Sequence, residues 1–333
     1  MVFTWEAQRK NKKKPRSKFI DMWKKKGLLL NIADFKSAEI QSHASIPFAH
    51  HLQNDEYRIF FSSRDQQGRC HPYSIDALVQ NGKITIQSTI TPRLIPLGAK
   101  GTFDDNGIMP SSIVKHHNQL WMYYIGWNPQ VTVSYRLSIG LAISEDEGKT
   151  WRKFSEGPLL DRSYQEPYFN TAPFVIKDND EWRMFYVSCT GWIEHEGRME
   201  PLYNVKLSIS QDGIHWTKPG IEVVPYSKET ESIGRPCVIK TSNGYKIYFS
   251  HRMATDYRHH PDQSYKIGSA FSTDANQWEQ FEFHILKNSE QQAWDSQMNE
   301  YCHVFEHNGV QYMLYNGNGF GAEGFGYCTK QAE

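Results

Sequence analysis

Asp104, Asp105, Glu166, Glu231 and Asp295 each lie a few residues ahead of an apolar, β-rich run, and these acids are the side chains in this sequence best suited to proton transfer. Carboxylates that converge on one pocket repel one another, which raises some pKa values, while nearby arginines lower others. One site thereby obtains both an acid and a base. Glycosyl transfer needs that pair, about 5 Å apart for retention of configuration or about 6.5–9.5 Å apart for inversion. Arg64, Arg235 and Arg252 would bring planar forks that match carboxylate or phosphate. The alternative is that each neutralises a neighbour, Arg235 with Glu231 or Arg64 with Asp65. Trp127, Tyr168, Trp192 and Trp294 offer ring faces for a sugar or for plain packing, and Asn128, Asn316 and Asn318 offer amides for hydroxyls or for turns. His43, Ser45, Ser111, Asn170 and Glu300 complete the polar set.

An internal repeat is what could bring residues so far apart together. The stretch 107–153 holds three β-rich runs joined by turns, opened by Pro110 and closed by Trp151. The same order recurs from Ala172 and from Arg235, and the closing tryptophans Trp151, Trp216 and Trp278 fall 65 and 62 residues apart. Looser copies from Ser45 and from Asn299 make five. A sheet of three or four strands cannot bury its faces alone, so the array becomes the fold. Radial packing leaves only short, protected edges, which predicts an all-β, five-bladed β-propeller. It is expected to occupy residues 27–333 as one domain, after a basic leader over 1–26. In the first copy, strands are expected at 43–52, 57–63 and 72–78, and the apolar run 28–32 should add an outer strand to the last blade. The first strand of each blade lines the channel of a propeller, and a ligand pocket forms where these strands begin. The candidates named above are the polar residues at or just ahead of those starts.

The turn 144–151 reads S-x-D-x-G-x-T-W, with looser relatives at Asp212 and Asp274. Their aspartates, Asp146 included, can accept backbone N–H bonds within the turn while a tryptophan packs beneath. These acids belong to outer hairpins and are excluded from the site.

Net charge is zero, with 37 basic and 37 acidic residues, yet ten Lys or Arg fall between positions 9 and 26 against the single Asp21. Such a segment is a solvated leader or an attractor of anionic surfaces. The remainder carries no basic stripe, which argues against nucleic acid as the main partner. No run of 18 apolar residues and no signal-peptide pattern is present, so a cytoplasmic, non-membrane protein is expected. Five widely spaced cysteines without a CxxC pair read as buried thiols rather than a zinc site, and no metal or other cofactor is expected.

The five copies and their DGxxW-like turns resemble the five-bladed propeller superfamily that contains arabinanases, β-xylosidases, invertases, levansucrases and mannoside phosphorylases. More narrowly, GTFDDNGIMPSS, YYIGWN, EPYF, IGRP, WDSQM and YNGNGFG are similar to glycosidase-like proteins of bacterial surface-polysaccharide clusters. The resemblance implies a glycoside hydrolase-like enzyme acting on a glycosidic or sugar-phosphate linkage of an intracellular glycan or precursor. A noncatalytic carbohydrate-binding propeller and a sugar-modifying transferase are the alternatives. The superfamily's catalytic acids usually stand at or beside the proline of the first strand in blades one to three. Here those positions read Ile46, Met109 and Thr171. Glu300 is the one acid kept in that register. Catalysis would therefore fall to Asp104 or Asp105, Glu166, Glu231 and Asp295, one turn upstream. The expected ligand is a sugar, with an anionic one favoured by the arginines.

Overall fold

Apolar runs of β-branched and aromatic residues, punctuated by polar turns, fold each copy into one antiparallel sheet. The computed structural model describes residues 23–178, 180–228, 230–284, 286 and 293–332. Strand β1 (Lys24–Asn31) opens the described chain. Blade one follows as β2 (Ser42–Gln53), β3 (Glu56–Arg64), β4 (Cys70–Gln80) and β5 (Lys83–Ile86). Blade two is β6 (Ile108–His116), β7 (Gln119–Pro129), β8 (Tyr135–Ser144) and β9 (Arg152–Lys153). Blade three is β10 (Asn170–Asp178), β11 (Glu181–His195) and β12 (Arg198–Ser210), with isolated bridges from Lys206 to Glu222 and Ile209 to Thr217 beyond its third strand. Blade four is β13 (Glu231–Thr241), β14 (Gly244–Met253), β15 (Lys266–Ser272) and β16 (Glu279–His284). Blade five is β17 (Glu300–His307), β18 (Val310–Asn316) and β19 (Gly324–Gln331), and β1 pairs antiparallel with the outer edge of β19.

The chain is thus a five-bladed β-propeller whose ring is closed by β1. The closing strand begins earlier than the apolar run suggested, because Lys24, Lys25 and Lys26 are part of it. Residues 1–22 of the basic leader lie outside the described residues. Among the described residues no helix is long and apolar enough to cross a membrane, and all five cysteines are buried and free.

Adjacent blades are joined by a contact repeated around the ring. The tryptophan after each polar turn packs edge-on against the second strand of the preceding blade: Trp151 on Phe60 at 6.0 Å, Trp216 on Tyr123 at 6.0 Å and Trp278 on Phe185 at 5.8 Å. Such pairs contribute about 0.5–1.5 kcal/mol each beyond the area they bury. The aspartate of each turn is spent on it, since Asp146 accepts from the amides of Lys149 and Thr150, Asp212 from those of Ile214 and His215, and Asp274 from those of Asn276 and Gln277.

Every inner strand carries a bulge near its start. In four blades a residue there takes a left-handed conformation: Ile46 (φ 57°), Ala172 (φ 46°), Arg235 (φ 51°) and Tyr301 (φ 54°). Side chains with a Cβ adopt it at a cost of about 1–3 kcal/mol each. Bulges re-aim side chains, and these four are turned toward the axis.

Candidate functional site

The bulged residues Ile46, Ala172, Arg235 and Tyr301, together with Ser45, Met109 and Thr171, line a central cavity of about 520 Å³. All five inner strands therefore contribute to one site on the axis. Two aromatic walls face it. Trp127, Tyr135 and Phe169 pack together on the side of blades two and three, with ring centroids 4.5 Å and 5.6 Å apart. Tyr257, Tyr265, Tyr301 and Phe320 form the other wall, with centroids 5.6–6.4 Å apart.

The charge on the wall is one-sided. Among the described residues, Arg64, Arg198, Arg235, Arg252 and Arg258 line the cavity with a single carboxylate, Glu200. Arg258 donates to both oxygens of Glu200 at 3.2 Å and 3.3 Å, and Tyr257 donates its hydroxyl to Oε2 at 2.8 Å. Arg252 is buried beneath three tyrosine rings, with its guanidinium carbon 3.9 Å from the Tyr257 centroid, and its Nε donates to the hydroxyls of Tyr203 and Tyr265 at 3.1 Å. Arg235 reaches across the axis to Ser111, donating to its hydroxyl at 2.8 Å and its carbonyl at 3.1 Å, while its Nε has no partner. Burial pushes its pKa down to about 10. No carboxylate among the described residues lies within ion-pairing distance of Arg64, Arg198, Arg235 or Arg252. The neutralised-arginine alternative fails, because Asp65 is taken by Arg69 and His71, and Glu231 by His251 and Ser227.

None of the five acids first singled out lines this cavity. Asp104, Glu166 and Asp295 are buried inside their blades. Each accepts a hydroxyl hydrogen bond from a tyrosine 20 residues later: Tyr124 at 2.9 Å, Tyr186 at 3.0 Å and Tyr315 at 2.8 Å. Lysines from outer strands or the segment beyond complete the arrangement, Lys153 on Asp104, Lys206 and Lys218 on Glu166, and Lys25 on Asp295. In blade four the tyrosine position holds Phe249, and Glu231 meets His251, two residues further along the same face of β14, at 3.2 Å. In blades two to five these carboxylates pin the segment that enters the inner strand. Burial pushes the Glu166 carboxyl up, but the two lysines and Tyr186 prevail and hold it below its ordinary value. Asp105 accepts from the Gly101 amide and from Asn128 in a turn.

The other candidates divide. Arg64, Trp127, Arg235 and Arg252 are brought together on the cavity wall. Trp192 packs behind that wall on Tyr135 and Phe169, whereas Trp294 packs at a tilt on Tyr315 within blade five. Tyr168 points outward, 39% exposed. Asn170 serves Glu166 and Lys218, Asn316 ties Ala44 and Ile46 of blade one to blade five, and Asn318 accepts from the amides of Gln297 and Met298. His43 bonds Ser42, and burial with the nearby Arg64 lowers its pKa to about 4. Glu300 is fully enclosed, and burial raises its carboxyl well above the usual range.

Arg198, Glu200, Tyr203, Tyr257, Arg258, Tyr265 and Phe320 are among the cavity residues not anticipated. Most come from two extensions, the long β11–β12 hairpin of blade three and the 254–265 loop of blade four. Glu200 joins them through Tyr257 and Arg258, and His195 meets Asp256 at 3.2 Å. A smaller pocket of about 290 Å³ adjoins the cavity, with Arg198, Glu200, Tyr257 and Arg258 as the shared wall. Among the described residues no group of three or more His, Cys, Asp or Glu side chains is placed to hold a metal ion.

No protein-family model matches the chain. By sequence it is similar to "Uncharacterized protein MT1551" of Mycobacterium tuberculosis (strain CDC 1551 / Oshkosh), 35% identical over 291 residues, which cover 87% of this chain and 93% of that protein. "Uncharacterized protein Rv1502" of strain ATCC 25618 / H37Rv matches with the same identity and coverage. The chain belongs to the family of these mycobacterial proteins. By structure it is similar to a glycoside hydrolase, with a TM-score of 0.72, 17% identity and coverage of 94% of this chain and 93% of that one. The BT0996 protein of an RGII complex superposes with a TM-score of 0.71 and 18% identity, covering 94% and 92%. The architecture is that of the five-bladed glycoside hydrolase propellers. Ile46, Met109 and Thr171, the positions singled out by the sequence resemblance, line the cavity.

Proposed function

We propose that the chain recognises an anionic sugar in its central cavity, by guanidinium forks and aromatic faces, and without the paired carboxylates of ordinary glycoside hydrolysis. The observation that carries this reading is the pair Arg235 and Arg252, each 2% exposed, lining the cavity with no carboxylate bonded to either. A buried charge without a counterion costs several kcal/mol, and an anion entering the cavity would offset it. The aromatic walls suit the apolar face of a sugar ring. Acidic sugars are also consistent with the surface-polysaccharide proteins that the sequence motifs resemble. Hydrolysis by two carboxylates finds no support in this site: among the described residues Glu200 is the one acid on the wall, and Arg258 grips both of its oxygens.

Calorimetric titration with matched neutral and acidic monosaccharides tests the proposal. The acidic sugar should bind and its neutral counterpart should bind far more weakly. Arg235→Ala should lose about 1.5–3 kcal/mol of that affinity, on the order of tenfold to a hundredfold. Its melting temperature should hold or rise, because the substitution removes an uncompensated buried charge. Equal affinity for both sugars, unchanged in the variant, would refute the anionic-ligand reading.

A further inference from the structure

Tyr257 and Glu200 form a second kind of constellation on the cavity wall. The hydroxyl of Tyr257 donates to Glu200 Oε2 at 2.8 Å, and Arg258 holds the same carboxylate through both oxygens. A nucleophile bonded to a base, with the base fixed by a third group, is the arrangement that marks covalent catalysis. The guanidinium of Arg252 lies 3.9 Å from the Tyr257 ring centroid, where its charge favours a developing phenolate. The bonds of Arg252 to Tyr203, Tyr265, Met253 and Pro201 leave N–H groups of its fork free to bind an anion beside that ring.

We infer that Tyr257 is the nucleophile and Glu200 its general base for glycosyl transfer from a sugar whose carboxylate sits on the reacting carbon, a 2-keto sugar acid. The inference rests on the anionic-sugar reading of the same cavity. Its chemical basis is charge. A carboxylate nucleophile approaching a carbon that carries a carboxylate brings two like charges together, whereas a phenol arrives neutral and gives up its proton only as the bond forms. Tyrosine replaces the carboxylate nucleophile in some glycoside hydrolysis. In the first step Tyr257 Oη bonds to the reacting carbon, its proton passes to Glu200, and the carbon–oxygen bond to the leaving group breaks with the electron pair on the departing oxygen. With no second acid among the described residues placed to protonate it, the leaving group must be one that departs as a stable anion, such as an aryl oxide or a phosphate ester. In the second step water attacks the same carbon. Tyr257 leaves with the bonding pair and recovers the proton from Glu200, and the proton released from the water passes to solvent.

The test uses the full chain and a 2-keto sugar acid carrying fluoride on the reacting carbon and a second fluorine on the adjacent carbon. The leaving fluoride speeds the first step, while the second fluorine slows release of the intermediate. Intact mass should rise by a single sugar, and digestion should place the adduct on Tyr257. Tyr257→Phe should bind the parent sugar acid within a few-fold of the wild type by calorimetry yet release no fluoride and gain no mass. Glu200→Gln should form the adduct about 10²–10⁴-fold more slowly; Tyr257→Phe, which keeps the Glu200–Arg258 pair, carries the test should that variant not fold. Binding of the sugar acid without an adduct, an adduct on another residue, or fluoride release by Tyr257→Phe would overturn the inference and leave the binding reading standing. Failure of the wild type to bind any acidic sugar would overturn both.

Discussion

Asp104 shows how the same residue type can be buried for opposite reasons. Its carboxylate looks like a catalytic acid from its place ahead of an inner strand, but it holds Tyr124 and Lys153 inside the blade. Removing one member of such a buried pair leaves the other charge unpaired and costs about 3–5 kcal/mol. Asp104→Asn should therefore lower the unfolding free energy from denaturant titration by that amount while the affinity of the refolded protein for an acidic sugar stays unchanged. A loss of affinity with stability intact would return Asp104 to the site. Arg235 is the converse, a buried charge kept unpaired and in a strained backbone conformation at the cavity wall. The sequence did contain the signal that separates the two. A tyrosine stands 20 residues after Asp104, Glu166 and Asp295, whereas the equivalent positions are Phe61 in blade one, which has no such acid, and Phe249 in blade four, where the acid turns to His251. In the three copies that carry both, acid and tyrosine are hydrogen-bonded partners.

Elements that repeat were legible, and elements that do not repeat were not. The five sheets and the turn aspartates with their tryptophans follow from self-similarity, because each copy checks the others. Arg64 and Arg252 were found for the same reason: they end equivalent second strands, FFSSR and YFSHR. Glu200, Tyr257 and Arg258 lie in the extensions of blades three and four, which have no counterpart elsewhere in the chain. Insertions in a repeat array gather on one face, often the binding face, so the interruptions were themselves the pointer to the site. The pinning carboxylates also predict how the blades respond to acid. The folded-state pKa of Glu166 is depressed below 4.5, so its contribution is fully present above that value and is lost as pH falls through the folded pKa. Melting temperatures of wild type and Glu166→Gln, compared from pH 7 to pH 3, should differ by a constant amount above pH 4.5 and converge below it. A difference independent of pH would refute the ionised role.

At the scale of the ring, the site depends on closure, since the cavity is lined by the inner strands of all five blades. Closure rests on β1, whose Lys25 reaches Asp295 at 2.6 Å from the outermost strand of blade five. Lys25→Met should cost about 3–5 kcal/mol by leaving Asp295 unpaired, and limited proteolysis should then cut first near β1. Cleavage starting elsewhere, with β1 still protected, would show that other contacts hold the ring.

The same strand poses a problem in time rather than in energy. About 300 residues separate β1 from β19, and at ribosomal speeds of about 5–20 residues per second the first must wait roughly 15–60 s for its partner. A waiting strand of this kind is an open template for pairing with other chains. Its consecutive lysines, Lys24 to Lys26, with Lys25 directed inward, are the sort of charge that blunts such an edge. The residue that latches the finished propeller would thus also keep newborn chains apart before there is a propeller to latch.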